Sequence, residues 1–124
     1  MKALIVICTS VVWAMCLPLT ATAADSVPKS RPLKCDMGPI NKTYGETQWL
    51  VYSCDDDKSV VIVSAPGNPA EPFYFTVLTH KDRYQVSGEG LGKKGVTDKA
   101  LRDLESLSTD AIAGLIRETK TSTK

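Results

Sequence analysis

Four short β-rich runs constrain the fold of this chain most. They are residues 49–54, 60–65, 73–80 and 83–90. Runs of this length with β-branched and aromatic residues, separated by a few polar residues, are typical of β-hairpins. The proline-rich loop 66–72 lies between the second and third runs and prevents one continuous strand. We therefore predict a four-stranded antiparallel β-meander.

The turn positions predict how the strands pair. In the first hairpin, Cys54 pairs with Ser59, and apolar side chains then fall on both faces, so we expect both faces to be covered. In the second hairpin, pairing His80 with Arg83 leaves one face mostly polar. The opposite, apolar face then carries Phe73, Phe75, Val77, Tyr84 and Val86.

Two amphipathic stretches follow the strands. We expect Thr97 to cap the first helix, with leucines on its inward side at Leu101, Leu104 and Leu107. Thr109 and Asp110 start the second, whose apolar positions are Ile112, Leu115 and Ile116. The predicted fold class is α+β: one domain over residues 35–120, with the two C-terminal helices packed on one face of the meander and one disulfide.

The first residues resemble an export signal. Residues 1–23 contain one early lysine, an apolar run and a small-residue A-x-A ending at Ala23, the pattern of a cleaved signal peptide. We predict a periplasmic or secreted protein, with residues 24–34 as a flexible lead-in and residues 121–124 as a polar tail.

Export also predicts a disulfide. Cleavage removes Cys8 and Cys16 and leaves Cys35 and Cys54, which are expected to pair in an oxidising compartment. Closing a loop of about 20 residues with a disulfide stabilises the fold by about 3 kcal/mol.

The charge balance excludes some partners. The chain has 15 Lys and Arg and 14 Asp and Glu, and loss of Lys2 with the signal makes the two equal. We therefore expect no nucleic-acid partner. Because signal cleavage also removes the N-terminal apolar run, we expect no integral membrane span in the mature protein. The sequence does not indicate an oligomeric state.

The run Asp55, Asp56 and Asp57 follows Cys54 directly. Neighbouring carboxylates raise the pKa of a thiol, which argues against a reactive cysteine. Consecutive acids also lack the alternating ligand spacing and the glycine of a calcium loop, so we predict no metal site. The run is interpreted as a solvated turn and as a candidate contact surface.

The segment GEGLGKKG matches G-x-G-x-x-G at Gly90, Gly92 and Gly95. A dinucleotide site requires this motif within a parallel βαβ unit, and the predicted strands are antiparallel. We expect no cofactor. The segment is interpreted as a flexible connector, with Lys93 and Lys94 as the alternative, a weak anion contact.

No catalytic cluster is apparent, and we predict that the protein is not an enzyme. His80 is the only histidine and falls at a hairpin end, where it is a further candidate contact residue. We predict a small binding protein that contacts a periplasmic or cell-envelope protein or component through the exposed loops 66–72 and 88–95.

Three alternatives remain open. Tyr52-x-Cys54 before a hydrophobic strand is similar to exported lysozyme inhibitors, whose all-β pattern differs from the helical C-terminus of this chain. An inhibitor or immunity-type protein against a cell-wall lytic enzyme is therefore one alternative. The second is a small hydrolase that uses a pair of carboxylates. The third is an envelope-associated structural or stress protein with no single partner.

Overall fold

The computed structural model describes residues 31–124, which form an antiparallel sheet followed by two helices. The strands are β1 (Met37–Tyr44), β2 (Thr47–Ser53), β3 (Ser59–Ser64), β4 (Phe73–His80) and β5 (Arg83–Gly90). The helices are α1 (Lys94–Glu105) and α2 (Thr109–Ser122). Each strand pairs with the next in the chain, and the predicted α+β class is confirmed. The predicted signal peptide and most of the predicted lead-in lie outside the described residues.

The sheet has five strands, so the prediction of four was wrong. The additional strand, β1, contains Gly38 and Pro39, a residue pair that is typical of a turn and not of a strand. The pairing of β1 with β2 shifts register at this point, and this irregularity accommodates the proline within an edge strand. The turn to β2 is formed by Gly45 and Glu46, both with positive φ, a conformation that suits a two-residue hairpin loop.

The pairing predicted for both hairpins is confirmed. The backbone N–H of Cys54 donates to the carbonyl of Ser59 at 3.0 Å, and Val51 lies opposite Ile62. In the second hairpin His80 pairs with Arg83 across the two-residue turn. These registers decide which side chains lie on each face of the sheet.

The helices pack on one face of the sheet, which we call the inner face. Trp49 and Phe75 lie at its centre, with ring centroids 5.1 Å apart, and the Trp49 indole N–H donates to the carbonyl of Tyr44 at 3.0 Å. The fully or almost fully buried apolar residues around them are Val51, Val60, Ile62, Val77, Ala100, Leu104, Ile112, Leu115 and Ile116. Burial of each large side chain in this cluster contributes about 1.5–3 kcal/mol.

The opposite side of the sheet, the outer face, is different. We expected both faces of the first hairpin to be covered, but no helix or strand within residues 31–124 covers the outer one. Tyr52 and Val61 are therefore only partly buried, although they pair directly.

The first helix does not begin where predicted. Thr97 is buried inside α1, and its hydroxyl donates back to the carbonyl of Lys94 at 3.0 Å. The N-cap is Lys93, which makes no side-chain capping hydrogen bond. By contrast, α2 is capped by Ser108, whose hydroxyl oxygen accepts from the backbone of Ala111 at 3.0 Å, as expected for a serine at this position.

The predicted disulfide between Cys35 and Cys54 is present. It links the chain before β1 to the end of β2, and Cys54 is almost completely buried. One residue earlier, the hydroxyl of Ser53 forms a buried hydrogen bond with Thr119 of α2 at 2.6 Å. The sheet, the lead-in and the second helix are therefore joined at one place.

Candidate binding surface

The Asp run forms the turn between β2 and β3, and Asp56 organises it. Its carboxylate accepts hydrogen bonds from the backbone of Lys58 at 3.0 Å, from the backbone of Ser59 at 2.9 Å and from the Ser59 hydroxyl at 2.6 Å. Partial burial acts to raise the pKa of Asp56, but the hydrogen bonds from Ser59 and Lys58 outweigh it and lower the pKa below its usual value. Asp56 therefore acts as a structural turn residue.

The two other aspartates of the run contact basic side chains of the same chain. Asp55 forms an ion pair with Arg31 at 2.5 Å and accepts from the backbone of Lys34 at 3.2 Å. Asp57, which has positive φ, forms an ion pair with Lys120 of α2. The negative charge of this turn is thus compensated locally, which weakens its attraction for a basic partner.

His80 lies at the turn between β4 and β5 and is exposed. Within residues 31–124 its imidazole makes no hydrogen bond or ion pair. A histidine that acts as a general base is held by a second group and faces a nucleophile. Neither feature is found around His80 in the described part of the chain.

Lys93 and Lys94 lie at the start of α1, and both are exposed. Lys94 forms an ion pair with Asp98 one turn later, at 2.8 Å. Lys93 makes no ion pair with any residue between 31 and 124. The structure therefore brings together a helix N-terminus and one uncompensated lysine, which attracts negative charge only weakly in water.

Glycines in the segment 88–95 serve close packing against the loop 66–72. The backbone N–H of Leu91 donates to the carbonyl of Pro72 at 3.0 Å. A Cβ atom on Gly92 would lie 2.1 Å from the carbonyl oxygen of Ala70, so only glycine allows this approach. The segment is packed against a neighbouring loop, which differs from the flexible connector that we predicted.

The loop 66–72 is itself held by internal hydrogen bonds. Asn68 is 8% exposed, and its side-chain amide donates to the carbonyl of Gln48 at 2.6 Å. Its side-chain oxygen accepts from the backbone of Ala70 at 2.8 Å. Three prolines restrict the same loop further. We refer to residues 66–72 and 88–95 together as the loop pair.

Leu91 projects from the loop pair and is 90% exposed. It is the most exposed large hydrophobic residue in the described part of the chain. Leu91 lies in the segment 88–95 that we predicted as a contact loop, but the residue itself was overlooked, because the glycines and lysines around it match better-known patterns. Its apolar side chain among glycines and charges was the signal that could have identified it.

The grooves of the described region are open and shallow. One of about 550 Å³ lies between β5 and the junction of the two helices. It is lined by two acids, Asp82 and Glu105, and by Tyr84, whose hydroxyl donates to the carbonyl of Leu104 at 2.8 Å. Partial burial, with a smaller contribution from the negative charge of Glu105, raises the pKa of Tyr84.

Between residues 31 and 124, no group of three or more His, Cys, Asp or Glu side chains is placed to hold a metal ion. In the same region, no helix is both long and apolar enough to cross a membrane.

Comparisons of this chain with protein-family models, with curated proteins and with solved structures found no match.

Proposed function

We propose that this is a small exported, non-catalytic binding protein that contacts a protein of the cell envelope through the loop pair. The observation that carries this proposal is Leu91, whose side chain is 90% exposed on a loop with a fixed backbone. An apolar side chain held in this way can enter a pocket of a partner with little loss of conformational entropy. Burial of one leucine contributes about 1.5–3 kcal/mol to such a complex.

The charges around Leu91 indicate the partner's chemistry. Lys93 and Lys94 lie two and three residues after Leu91 in the chain and are exposed. A partner with an apolar pocket and acidic groups at its rim would complement this arrangement, and the lysines would mainly accelerate association. A projecting loop of this kind also suits insertion into an enzyme cleft. The proposal therefore includes, as a narrower form, an inhibitor or immunity-type protein against a cell-wall lytic enzyme.

The test is affinity capture from the native envelope fraction, with the wild-type protein compared with Leu91→Asp. We expect Leu91→Asp to lose the captured partner while its thermal unfolding stays unchanged, because the side chain is almost fully exposed. The matched control is Leu33→Asp. Leu33 is 47% exposed and belongs to the lead-in, which is tied to the β2–β3 turn at the other end of the sheet.

The captured protein must then be purified and its affinity measured directly. Loss of one buried leucine predicts at least about tenfold weaker binding for Leu91→Asp, and no change for Leu33→Asp. Equal binding by both variants, or no reproducible partner, would overturn the proposal.

A specific observation also favours a second candidate, the small hydrolase. Asp82 and Glu105 line the same groove beside β5, and a pair of carboxylates is what glycan hydrolysis requires. Turnover of peptidoglycan or of ester substrates that is lost in Asp82→Asn and in Glu105→Gln would support this function. It would also contradict the proposal of a non-catalytic protein.

A further inference from the structure

The sheet has two edge strands, β1 and β5, and they differ in how well they are protected. In β1 the register shifts between Met37 and Ile40, and Pro39 lies within this irregularity. The backbone N–H of Gly38 donates to the hydroxyl of Thr123, which follows α2, at 2.8 Å. A bulge, a proline and a covering segment are features that keep an edge strand from pairing with another chain.

The β5 edge has none of these features. The strand runs from Arg83 to Gly90, pairs with β4 without a register shift and contains no proline. All of its residues except Tyr84 and Val86 are exposed. The junction of the two helices also leaves the open groove of about 550 Å³ beside this strand. β5 is therefore an accessible edge with a regular backbone.

The hairpin register determines which backbone groups of β5 point away from the sheet. The residues on either side of the two-residue turn, His80 and Arg83, form a hydrogen-bonded pair. Beyond the other end of the strand, the N–H of Leu91 donates to the carbonyl of Pro72 at 3.0 Å, which agrees with the same alternation. The odd-numbered residues therefore bond to β4. Three even-numbered residues direct their backbone N–H and C=O groups outwards, and these are Tyr84, Val86 and Gly88.

The outward backbone groups of these three residues have no hydrogen-bond partner between residues 31 and 124. Backbone N–H and C=O groups are strong donors and acceptors, and they are the groups through which a strand from another chain joins a sheet. The β5 edge is thus able to accept one more strand.

The side chains that β5 places on the outer face end in opposite charges. Arg83 is the first of them and Glu89 is the last, with Gln85 and Ser87 between. Arg83 is exposed and makes no ion pair with another residue of the described region. One carboxylate oxygen of Glu89 accepts a hydrogen bond from the Tyr74 hydroxyl at 2.7 Å. Its other oxygen makes no hydrogen bond within residues 31–124.

We propose that β5 pairs in antiparallel orientation with β5 of a second copy of this chain. The two-fold axis is perpendicular to the sheet and passes beside Val86, which lies opposite its own counterpart. In this register Tyr84 lies opposite Gly88 of the other copy, and Arg83 lies opposite Glu89 of the other copy. The two sheets then form one continuous antiparallel sheet.

This register satisfies the backbone and the side chains together. The outward N–H and C=O groups of the two strands face each other and form about six hydrogen bonds. Each Arg83 and Glu89 form a pair without backbone hydrogen bonds, the type in which opposite side chains are closest. On the inner face, the large ring of Tyr84 lies opposite Gly88, which has no side chain to obstruct it.

The charges select this register and favour a second copy as the occupant of the edge. A shift of the copy by two residues in either direction keeps the backbone bonds. It places Arg83 opposite Ser87 or Leu91, however, and loses both ion pairs. An isologous interface must be complementary to itself. A strand with one cation and one anion at equal distances from its central residue, Val86, meets that condition.

The first experiment is sedimentation equilibrium of the full chain after signal cleavage, over a range of concentrations. A single added strand buries little surface, so we expect a weak monomer–dimer equilibrium. Val86→Pro removes the central outward N–H, which does not bond to β4, and should weaken the dimer at least about tenfold. A wild type that is monomeric up to about millimolar concentration would overturn the proposal.

The matched control for the proline is Val86→Ala. This variant also loses the packing of the valine side chain but keeps its backbone N–H, so it should weaken the dimer by less than about fivefold. Thermal unfolding of both variants monitors the fold. Equal dimerisation of Val86→Pro and Val86→Ala would show that the outward N–H of residue 86 does not bond to the second copy, and would overturn the proposal.

Amide hydrogen exchange tests whether the dimer forms at this edge. The N–H groups of Tyr84, Val86 and Gly88 should become protected as the protein concentration rises. Those of Gln85 and the other odd-numbered residues, which already bond to β4, should change little. A dimer that forms without this alternating protection would exclude pairing through β5.

A charge exchange tests the register. Arg83→Glu and Glu89→Arg, each alone, place like charges opposite each other twice, and each should weaken the dimer about tenfold or more. The double exchange restores both pairs in reversed order and should restore dimerisation. Arg117→Glu is the control, because Arg117 is exposed on α2, which packs against β1, β2 and β3. Failure of the double variant to recover, with an unchanged unfolding temperature, would exclude this register.

Val86→Pro also separates this proposal from the proposed function. The binding assigned to Leu91 does not require the β5 edge, so Val86→Pro should still capture the envelope protein while it fails to dimerise. A monomeric wild type, together with loss of the captured protein in Val86→Pro, would assign the edge to a strand of that protein. This result would overturn the proposal of a second copy.

Discussion

The two ends of the sheet differ in whether their side chains bond within the domain or are exposed to solvent. At one end, the β2–β3 turn holds three carboxylates, and all three bond to groups of the same chain. At the other end, the loop pair is held by its backbone and leaves Leu91 exposed. The charged side chains of one end are therefore bonded within the domain, whereas the apolar side chain of Leu91 at the other end is exposed to solvent.

The largest expected effect concerns the loop pair. Gly92→Ala places a methyl group against the carbonyl of Ala70, and we expect it to destabilise the fold by about 3 kcal/mol. The matched control is Gly95→Ala. Gly95 lies in α1 with nothing within 4 Å of its Cβ position, so this variant should be neutral or stabilised by up to about 1 kcal/mol.

Urea unfolding of both variants provides the measurement. If Gly92→Ala is as stable as Gly95→Ala, the loop pair is not rigidly packed, and the basis for preorganised binding by Leu91 is lost.

The next effect appears at high pH. Burial, with a smaller contribution from Glu118, raises the pKa of Tyr44 from 10.0 to about 12. Tyr44 lies beside the β1–β2 turn, at the same end as the loop pair. Its folded pKa is higher than the unfolded one, so its contribution is complete below pH 10 and decreases as the pH rises. The expected loss is about 2 kcal/mol at pH 12.

Tyr44→Phe is the variant that tests this assignment. Its stability should decrease less than that of the wild type between pH 10 and pH 12, measured by urea unfolding at each pH. An identical decrease in both proteins would assign the alkaline effect to other groups.

The smallest effect concerns Asp56 in the β2–β3 turn. It appears at low pH, because the pKa of Asp56 is lowered, whereas that of Tyr44 is raised. The folded pKa of Asp56 is lowered, so its contribution is present above its usual pKa of about 4 and is lost as the pH falls through the lowered value. Asp56→Asn should destabilise the fold at neutral pH by about 1 kcal/mol and should flatten its stability below pH 4.

Asp57→Asn provides the comparison for this turn. The side chain of Asp57 is 64% exposed in its ion pair with Lys120, and exposed pairs contribute little. An equal effect of the two substitutions on acid unfolding would show that charge alone, and not the hydrogen bonds of Asp56, stabilises the turn.

Local sequence patterns predicted the hairpins because each hairpin depends on neighbours in sequence. The residues on either side of the turn at Lys81 determine the β4–β5 register. The disulfide joins cysteines 19 residues apart, and its prediction required only the cysteine count that the predicted signal peptide leaves.

β1 was missed because Gly38 and Pro39 normally end a strand, whereas here a bulge retains them. Ile40 and Tyr44 are separated by a multiple of the two-residue strand period, with the polar residues Asn41 and Thr43 on the other face. This spacing was the signal for a strand.

The candidate contact residues were harder to predict. Whether Asp55 or Asp57 is available to a partner depends on Arg31 and Lys120, which are distant in sequence and are brought close by the fold. The exposure of Leu91 is likewise a tertiary property, since the same residue within a helix would have been assigned to the core. Residue type alone therefore favoured the charges and overlooked the leucine.

The contacts of the β2–β3 turn also determine where the two ends of the described region lie relative to the loop pair. Arg31, near the start of the described chain, and Lys120, near its end, both bind the β2–β3 turn, and Thr123 accepts a hydrogen bond from Gly38 at 2.8 Å. The first and last residues of the described region therefore lie at the same end of the sheet, beside the β2–β3 turn. A tether, tag or surface anchor joined at residue 31 or at residue 124 would present the loop pair outward, away from the support.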